Sequence, residues 1–246
     1  MRIAYISDLH ANIFALEALE KDIKSQGIDE IRCLGDILNF GTRPVETLNW
    51  VKENCSVILR GEQDSFIAGI DGVYISNPLA IKFADWTYDF LTEEDFDFIK
   101  SLPVDYEDTE VILTHDEPSV PGSMAFVSSV KTAKDTMSCY SGKICFYGHV
   151  HIPLIFVKNK NTGEVFLADT HKYRLKENED YLVCVGSVGQ PKDRDPRLSY
   201  VIHDTENNEI IVRRVEYPYE KAAKEIKEKG LPEAFANLLL KNTSER

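Results

Sequence analysis

The chain has 246 residues, enough for one domain that buries a sizeable core without disulfides or structural zinc. Its 43% hydrophobic and 28% charged residues are typical of a globular protein, and no apolar run reaches the length of about 18 residues that crosses a bilayer. The formal net charge of −13 disfavours duplex nucleic acid as a partner, because most of the surface would repel a polyanion.

The N-terminal residues and the cysteines both favour the cytoplasm. The chain opens on MRIAYISDLH, a strand-like run without the basic region, apolar segment and cleavage site of a secretory signal. Its five cysteines are an odd number without CxxC spacing, so we expect reduced thiols, mostly in the core. The sequence therefore predicts a soluble cytoplasmic protein.

Strand-like and helix-like patterns alternate over the first 150 residues, which predicts a parallel sheet with crossover helices. The predicted strands cover residues 2–7, 30–34, 56–59, 111–114 and 144–147. Leu16, Leu19 and Ile23 recur at helical spacing ahead of Gly27, which predicts a first helix with a C-cap glycine. Three further helices are predicted from Pro44 and within residues 78–101.

Short β patterns replace this alternation from about residue 154. They cover residues 154–157, 165–168, 181–185, 199–203 and 209–213, and the turn signals between them predict hairpins of a second, antiparallel sheet region. Residues 218–240 predict two helices that close over the sheet. No linker, repeat or low-complexity stretch is present, so we expect residues 1–246 to form a single domain.

Side chains of the metal-ligating type follow all five early strands. They are Asp8 and His10 after the first strand, Asp36 after the second, Glu62 after the third, His115 after the fourth, and His149 and His151 after the fifth. A lone Asp or His in such a place is usually a cap or turn residue, but four of the six histidines fall in these groups. Because the carboxyl ends of parallel strands share one edge, we expect these residues to converge on a metal site. Carboxylate and imidazole ligands without thiolate favour Mn, Fe, Zn, Co or Ni over Mg or Ca.

The motifs at these positions resemble those of the calcineurin-like metallophosphoesterases. The matching segments are SDLHAN at 7–12, GDILNFG at 35–41, TH at 114–115 and GHVH at 148–151, in the order found in that family. The segment GSVGQPKDRDPR at 186–197 resembles the closing motif of its small, prokaryotic, phosphodiesterase-like branch.

This resemblance implies an α/β fold, a four-layer α/β/β/α sandwich of two mixed β-sheets flanked by helices. It also implies two divalent metal ions: Asp8, His10 and His151 would hold one, His115 and His149 the other, and Asp36 would bridge both. A carboxylate can span two ions about 3.5–4 Å apart with its two oxygens. Such a pair would lower the pKa of a bridging water, so that hydroxide attacks phosphorus near neutral pH.

Two residues depart from the family pattern Gly-Asn-His-Asp/Glu, because this chain has GEQD at 61–64. Glu62 replaces the metal-binding Asn and removes one positive charge from the site. Gln63 replaces the His assigned as general acid, and an amide cannot transfer a proton, so about 10²–10⁴-fold of acid catalysis is lost unless Asp64 or a bound water substitutes. The change at Glu62 favours a monoanionic diester over a phosphate dianion, and the change at Gln63 favours substrates with good leaving groups.

Four residues are candidates for contact with substrate: Asn12, Arg60, Gln190 and Lys192. Each has an alternative, since Asn12 and Gln190 could form turns or position ligands, Arg60 could point away, and Lys192 could be solvated surface charge. The sequence predicts a phosphohydrolase that cleaves a phosphodiester or phosphoanhydride of a small molecule, including nucleotides. The alternative is a metal- or nucleotide-binding module of the same fold with little or no catalysis.

Overall fold

Two six-stranded sheets packed face to face form the centre of the computed structural model, which describes residues 1–241. The first sheet has the order β3-β2-β1-β11-β12-β9. Its strands are β1 (Arg2–Ile6), β2 (Glu30–Cys33), β3 (Val57–Ile58), β9 (Lys172–Arg174), β11 (Leu198–Asp204) and β12 (Glu209–Val215). β1, β2 and β3 are parallel, and β1 is antiparallel to β11.

The second sheet has the order β4-β5-β6-β10-β7-β8. Its strands are β4 (Asp105–Glu107), β5 (Val111–Thr114), β6 (Ile144–Tyr147), β7 (Pro153–Asn159), β8 (Val165–Leu167) and β10 (Glu179–Val185). β5, β6 and β10 are parallel, whereas β7 is antiparallel to β10. Both sheets are therefore mixed, as the resemblance implied.

The prediction that the first five strands form one parallel sheet is wrong. The first three lie in the first sheet, but β5 and β6 lie in the second. The prediction of a separate antiparallel region is also wrong, because β10 pairs in parallel with β6 and β11 pairs with β1. These two strands are central, and every residue in them is buried. Their apolar segments, Tyr181–Val185 and Tyr200–Ile202, are uninterrupted like those of strands that are buried on both faces.

Helices cover both outer faces and one end of the sandwich. They are α1 (Ile13–Gln26), α2 (Pro44–Asn54), α3 (Glu62–Ile67), α4 (Pro78–Tyr88), α5 (Glu93–Ser101), α6 (Val130–Thr136), α7 (Tyr219–Glu228) and α8 (Glu233–Lys241). Residues of α1, α2 and α5 pack on the first sheet, and α6 packs on the second. α4, α7 and α8 form a separate apolar cluster at one end. Within residues 1–241, no helix is both long and apolar enough to span a membrane.

Strand alternation explains how each sheet faces two cores at once. In β1, Ile3 and Tyr5 join the core between the sheets, while Ala4 and Ile6 join the core beneath the helices. Tyr5 stacks on Phe146 of the other sheet, with ring centroids 3.8 Å apart. This contact between the two sheets lies near the strand ends that carry the polar loops.

His203 on β11 is buried 6.0 Å from the ring of Phe146, and burial lowers its pKa from 6.5 to about 4. A histidine kept neutral in the folded state stabilises the fold fully above pH 6.5 and loses that contribution as the pH falls to about 4. We expect the free energy of unfolding of His203→Gln to fall by about 3 kcal/mol less than that of the wild type between pH 6.5 and about 4. Chemical denaturation in the presence of a chelator would measure this difference. His171→Gln, at an exposed position, is the control. Parallel pH profiles for wild type and His203→Gln would contradict this assignment.

Candidate metal centre

The predicted ligands all lie where strands of the two sheets end. Asp8 and His10 follow β1, Asp36 follows β2, and Glu62 is the first residue of α3. From the other sheet, His115 follows β5, and His149 and His151 follow β6. Convergence on one edge was predicted, but the edge is made by two packed sheets rather than by one.

One group of ligand atoms is formed by Asp8, His10 and His151, here called the first cluster. Asp8 Oδ1 is 3.1 Å from His151 Nε2 and 3.8 Å from His10 Nε2. The two imidazole Nε2 atoms are 3.3 Å apart. All three side chains are almost fully buried, so three donors face one another with little access for water.

A second cluster is formed by Glu62, His115 and His149. Glu62 Oε2 is 2.7 Å from His115 Nε2 and 3.1 Å from His149 Nδ1. The Glu62 carboxylate, at the position where the family has Asn, thus supplies an oxygen atom between the two imidazoles.

Asp36 lies between the clusters. Its Oδ2 is 3.9 Å from His10 Nε2 and 3.6 Å from His115 Nε2, while its Oδ1 accepts a hydrogen bond from the backbone N–H of Gln63 at 2.9 Å. A single oxygen therefore faces both clusters. The expectation that the carboxylate spans two ions with its two oxygens does not fit this arrangement.

Backbone carbonyls orient the imidazole rings. His10 Nδ1 lies 3.2 Å from the Leu38 carbonyl oxygen, and His115 Nδ1 lies 2.8 Å from that of Leu34. His151 Nδ1 lies 2.6 Å from the carbonyl oxygen of Gln190. Each Nδ1 must carry the proton to donate, which leaves the Nε2 lone pair directed into its cluster. His149 is reversed, since its Nε2 faces the Met124 carbonyl at 3.2 Å and its Nδ1 faces Glu62.

Five of the seven predicted ligands have left-handed backbone conformations. Their φ values are 54° at Asp8, 49° at His10, 52° at Asp36, 63° at His149 and 61° at His151. This conformation costs about 1–3 kcal/mol at each non-glycine residue and clusters at functional sites. The loops are therefore held in geometries that serve the side chains rather than the stability of the backbone.

The donor set fits divalent cations. Five buried atoms in and between the clusters have no hydrogen-bond partner among the described residues: Asp8 Oδ1, Asp36 Oδ2, Glu62 Oε2, His115 Nε2 and His149 Nδ1. Burial and the neighbouring Glu62 raise the pKa of Asp36 well above its usual range. Burial lowers the pKa of His10 to about 3, which keeps its imidazole neutral, as a metal ligand must be. Bound cations would balance the charge of this buried group of carboxylates and imidazoles.

Gln63 and Asp64, both proposed for catalysis, have different environments. The Gln63 amide lies at the site, where its Oε1 accepts from Asn39 Nδ2 at 2.8 Å and its Nε2 donates to Glu62 Oε1 at 3.4 Å. Asp64 is fully buried and accepts hydrogen bonds from the backbone N–H groups of Ile37, Leu38 and Gly61. Asp64 therefore ties the Asp36 loop to α3, and its contacts favour this supporting role over that of a substitute acid.

Asn12 and Gln190 position other groups. The Asn12 side chain donates to the Gly189 carbonyl at 2.8 Å and accepts from the Ala15 N–H, which caps α1. Gln190 presents its carbonyl to His151. Of the two alternatives for these residues, the contacts favour support of the ligands over contact with substrate.

Arg60 and Lys192 differ in where their charges lie. The Arg60 guanidinium donates to Ser65 Oγ and to the carbonyls of Ile99 and Lys100, so it is directed away from the clusters. Lys192 is exposed at the rim of the site. Its ammonium group is partly desolvated by the neighbouring residues, which lowers its pKa, and the nearby Asp8 carboxylate offsets only part of this effect. Lys192 remains the candidate cation for a phosphate.

Three residues of the site were missed from sequence. Asn39 fixes the Gln63 amide, Met124 supplies the carbonyl that orients His149, and Phe126 stacks on the His149 ring with centroids 4.3 Å apart. Asn39 lies in the GDILNFG segment and could have been selected from it. Met124 and Phe126 lie in the β5–α6 loop, which carries no motif.

Gly61 has no room for a side chain, because a Cβ there would overlap Asp36 Oδ1. We expect Gly61→Ala to displace Asp36 and to weaken Mn²⁺ binding by about 10–100-fold, as with other changes to groups that orient metal ligands. Titration calorimetry would measure this change. Gly72→Ala is the control, since its Cβ meets open space and only backbone strain is introduced. Unchanged Mn²⁺ affinity in Gly61→Ala would show that Asp36 does not need this close contact.

Comparisons with known proteins agree with this architecture. A family model of the calcineurin-like phosphoesterase superfamily domain matches residues 1–208. An uncharacterised protein of Methanocaldococcus jannaschii is 35% identical over 236 residues, covering 94% of each chain. The crystal structure of a metallophosphoesterase from Sphaerobacter thermophilus superimposes with a TM-score of 0.86 at 30% identity, covering 99% of this chain and 100% of that one. A hypothetical protein from Pyrococcus horikoshii shares the fold, with a TM-score of 0.76, 20% identity and 97% of each chain covered.

Proposed function

The chain belongs to the calcineurin-like phosphoesterase superfamily, and from this premise we propose that it is a phosphohydrolase that uses two divalent cations. The observation that carries the proposal is the pair of ligand clusters that face one carboxylate oxygen, Asp36 Oδ2. Asp8, His10 and His151 would hold one ion, Glu62, His115 and His149 the other, and Asp36 both. The mixed imidazole and carboxylate donors suit Mn, Fe, Zn, Co or Ni.

When bound, two such ions generate a nucleophile from water near neutral pH and neutralise charge on the phosphoryl oxygens. The protein's own part is to fix the ligands before the substrate arrives. The carbonyls of Leu34, Leu38 and Gln190 hold three imidazoles in the ligating tautomer. Lys192 at the rim would attract the phosphate in an otherwise acidic protein.

The substrate preference follows from Glu62 and Gln63. With Asp8, Asp36 and Glu62 ionised, two divalent ions leave a net charge of +1 at the site, which favours a monoanionic diester over a phosphate dianion. Neither the Gln63 amide nor the fully engaged Asp64 supplies a proton to the departing oxygen. We therefore propose phosphodiesters or phosphoanhydrides of small molecules, including nucleotides, rather than alkyl monoesters or duplex nucleic acid.

The proposal is tested by metal analysis combined with hydrolysis assays. After incubation with Mn²⁺ or Zn²⁺, we expect about two ions per chain, because the clusters provide two ligand sets. With Mn²⁺, an activated diester and a dinucleoside polyphosphate should be cleaved faster than an activated monoester or a phosphopeptide. Failure to bind metal would refute the site itself.

A second candidate function is a metal- or nucleotide-binding module without catalysis. The observation that favours it is the Gln63 amide, which is hydrogen-bonded to Asn39 and Glu62 where the family has its acid histidine. Two bound ions without turnover of any substrate in the panel would favour this module over the enzyme.

A further inference from the structure

A cavity of about 140 Å³ borders the second cluster. Glu62 and His115 line it together with four apolar residues, Ile70, Val73, Val104 and Met124. It therefore adjoins the cluster directly, and a phosphate substituent could enter it without leaving the metal centre.

The polar side chains along this cavity are already engaged. Arg60 donates to the Ser65 hydroxyl and to two backbone carbonyls of α5. The Ser65 hydroxyl in turn donates to the Gly61 carbonyl. Asp116, which is buried, accepts hydrogen bonds from the N–H groups of Gly122 and Met124. Because these side chains already make hydrogen bonds within the protein, contact with the polar edge of a nucleobase would have to compete with those bonds.

Among residues 1–241, the space found on the other side of the candidate site is much smaller. There His10, Asn12 and Gln190 adjoin Ala222 and Ile226 of α7, and the space between them is about 10 Å³. That volume holds about one water molecule. An organic group attached to a phosphate held between the clusters would therefore extend towards the second cluster.

We propose that this cavity binds an apolar aromatic ester group, so that the substrate is an aryl-type organophosphate. The inference rests on the proposed function, since it requires the phosphoryl group to lie between the two clusters. Phe126 adds a second apolar surface: it is 58% exposed and stacks on His149 of the same cluster. Burial of a ring against these side chains gains affinity in proportion to the apolar area removed from water.

The test compares phenylphosphonate with methylphosphonate, which share the anionic group and resist hydrolysis. Calorimetry on the Mn²⁺-loaded protein should show phenylphosphonate binding about tenfold more tightly or better. Val104→Trp, which fills the cavity, should abolish this difference. Val104→Ala, which enlarges it, should shift preference towards naphthylphosphonate. Val120→Trp, at a position 60% exposed in the β5–α6 loop, is the matched control.

The outcomes separate the two proposals. If methylphosphonate binds and phenylphosphonate gains nothing, or if neither Val104 variant alters the preference while both retain their metal, the cavity proposal is overturned and the metal site stands. If neither phosphonate binds the Mn²⁺-loaded protein, the placement of the phosphoryl group between the clusters is wrong, and the cavity proposal is overturned with it. If the protein takes up no Mn²⁺ at all, the proposed function itself fails.

Discussion

Replacing Gln63 with histidine should accelerate hydrolysis of an alkyl phosphodiester by about 10²-fold or more, because it restores a proton donor beside the departing oxygen. The Gln63 side chain is 8% exposed and lies 3.4 Å from Glu62, whose negative charge would favour the protonated imidazole. The backbone N–H that holds Asp36 is unchanged by the substitution. Steady-state rates with Mn²⁺ would measure the gain.

An activated aryl ester is the internal control for Gln63→His, since its oxygen leaves without a proton and should gain little. Gln63→Leu is the matched variant, of similar size but without a donor, and should accelerate neither substrate. An equal gain on both substrates would mean that position 63 does not act on the leaving oxygen. The preference for good leaving groups would then lose its basis.

Asp36→Asn should have the largest deleterious effect, with both ions weakened and activity reduced by about 10³-fold or more. The amide oxygen would take the place of Oδ1 and keep the hydrogen bond from Gln63. Its NH₂ group would then replace Oδ2, and it has no lone pair to offer either cluster. Metal analysis and Mn²⁺-dependent turnover would measure the two losses.

His10→Ala separates bridging from simple ligation. His10 belongs to the first cluster alone, so its removal should lower the metal content by about one ion and leave the second cluster occupied. If Asp36→Asn also removed only one ion, Asp36 would belong to one cluster and the bridging proposal would be wrong.

The sequence predicted the convergence of the ligands well, because each of them lies shortly after the end of a strand, and strand ends are visible as breaks in apolar patterns. It could not predict which oxygen of Asp36 faces the two clusters. That depends on the Gln63 N–H, which becomes available only because α3 begins at Glu62. The cavity beside the second cluster was equally hidden, since Val73, Val104 and Met124 come from three separate loops.

The division into two sheets shows the limit of periodicity. β5 and β6 have the same mostly buried, apolar character as β1, and nothing in such a run states which neighbour it will pair with. Only the resemblance implied two mixed sheets. The hairpins β7–β8 and β11–β12 were predictable because their partners are adjacent in the chain.

The metal centre also fastens the two sheets to each other. His115, at the end of β5, bonds to the Leu34 carbonyl after β2, and the His149 N–H bonds to Asp8 after β1. The connection from β10 to β11 adds the bonds of Val188 N–H to Ser7 and of Gly189 N–H to Asp8. Separation of the sheets would have to break these bonds together, so this edge should open only with the whole core, as one cooperative unit in hydrogen exchange. Cations bound there would then raise the free energy of global unfolding rather than merely ordering local loops.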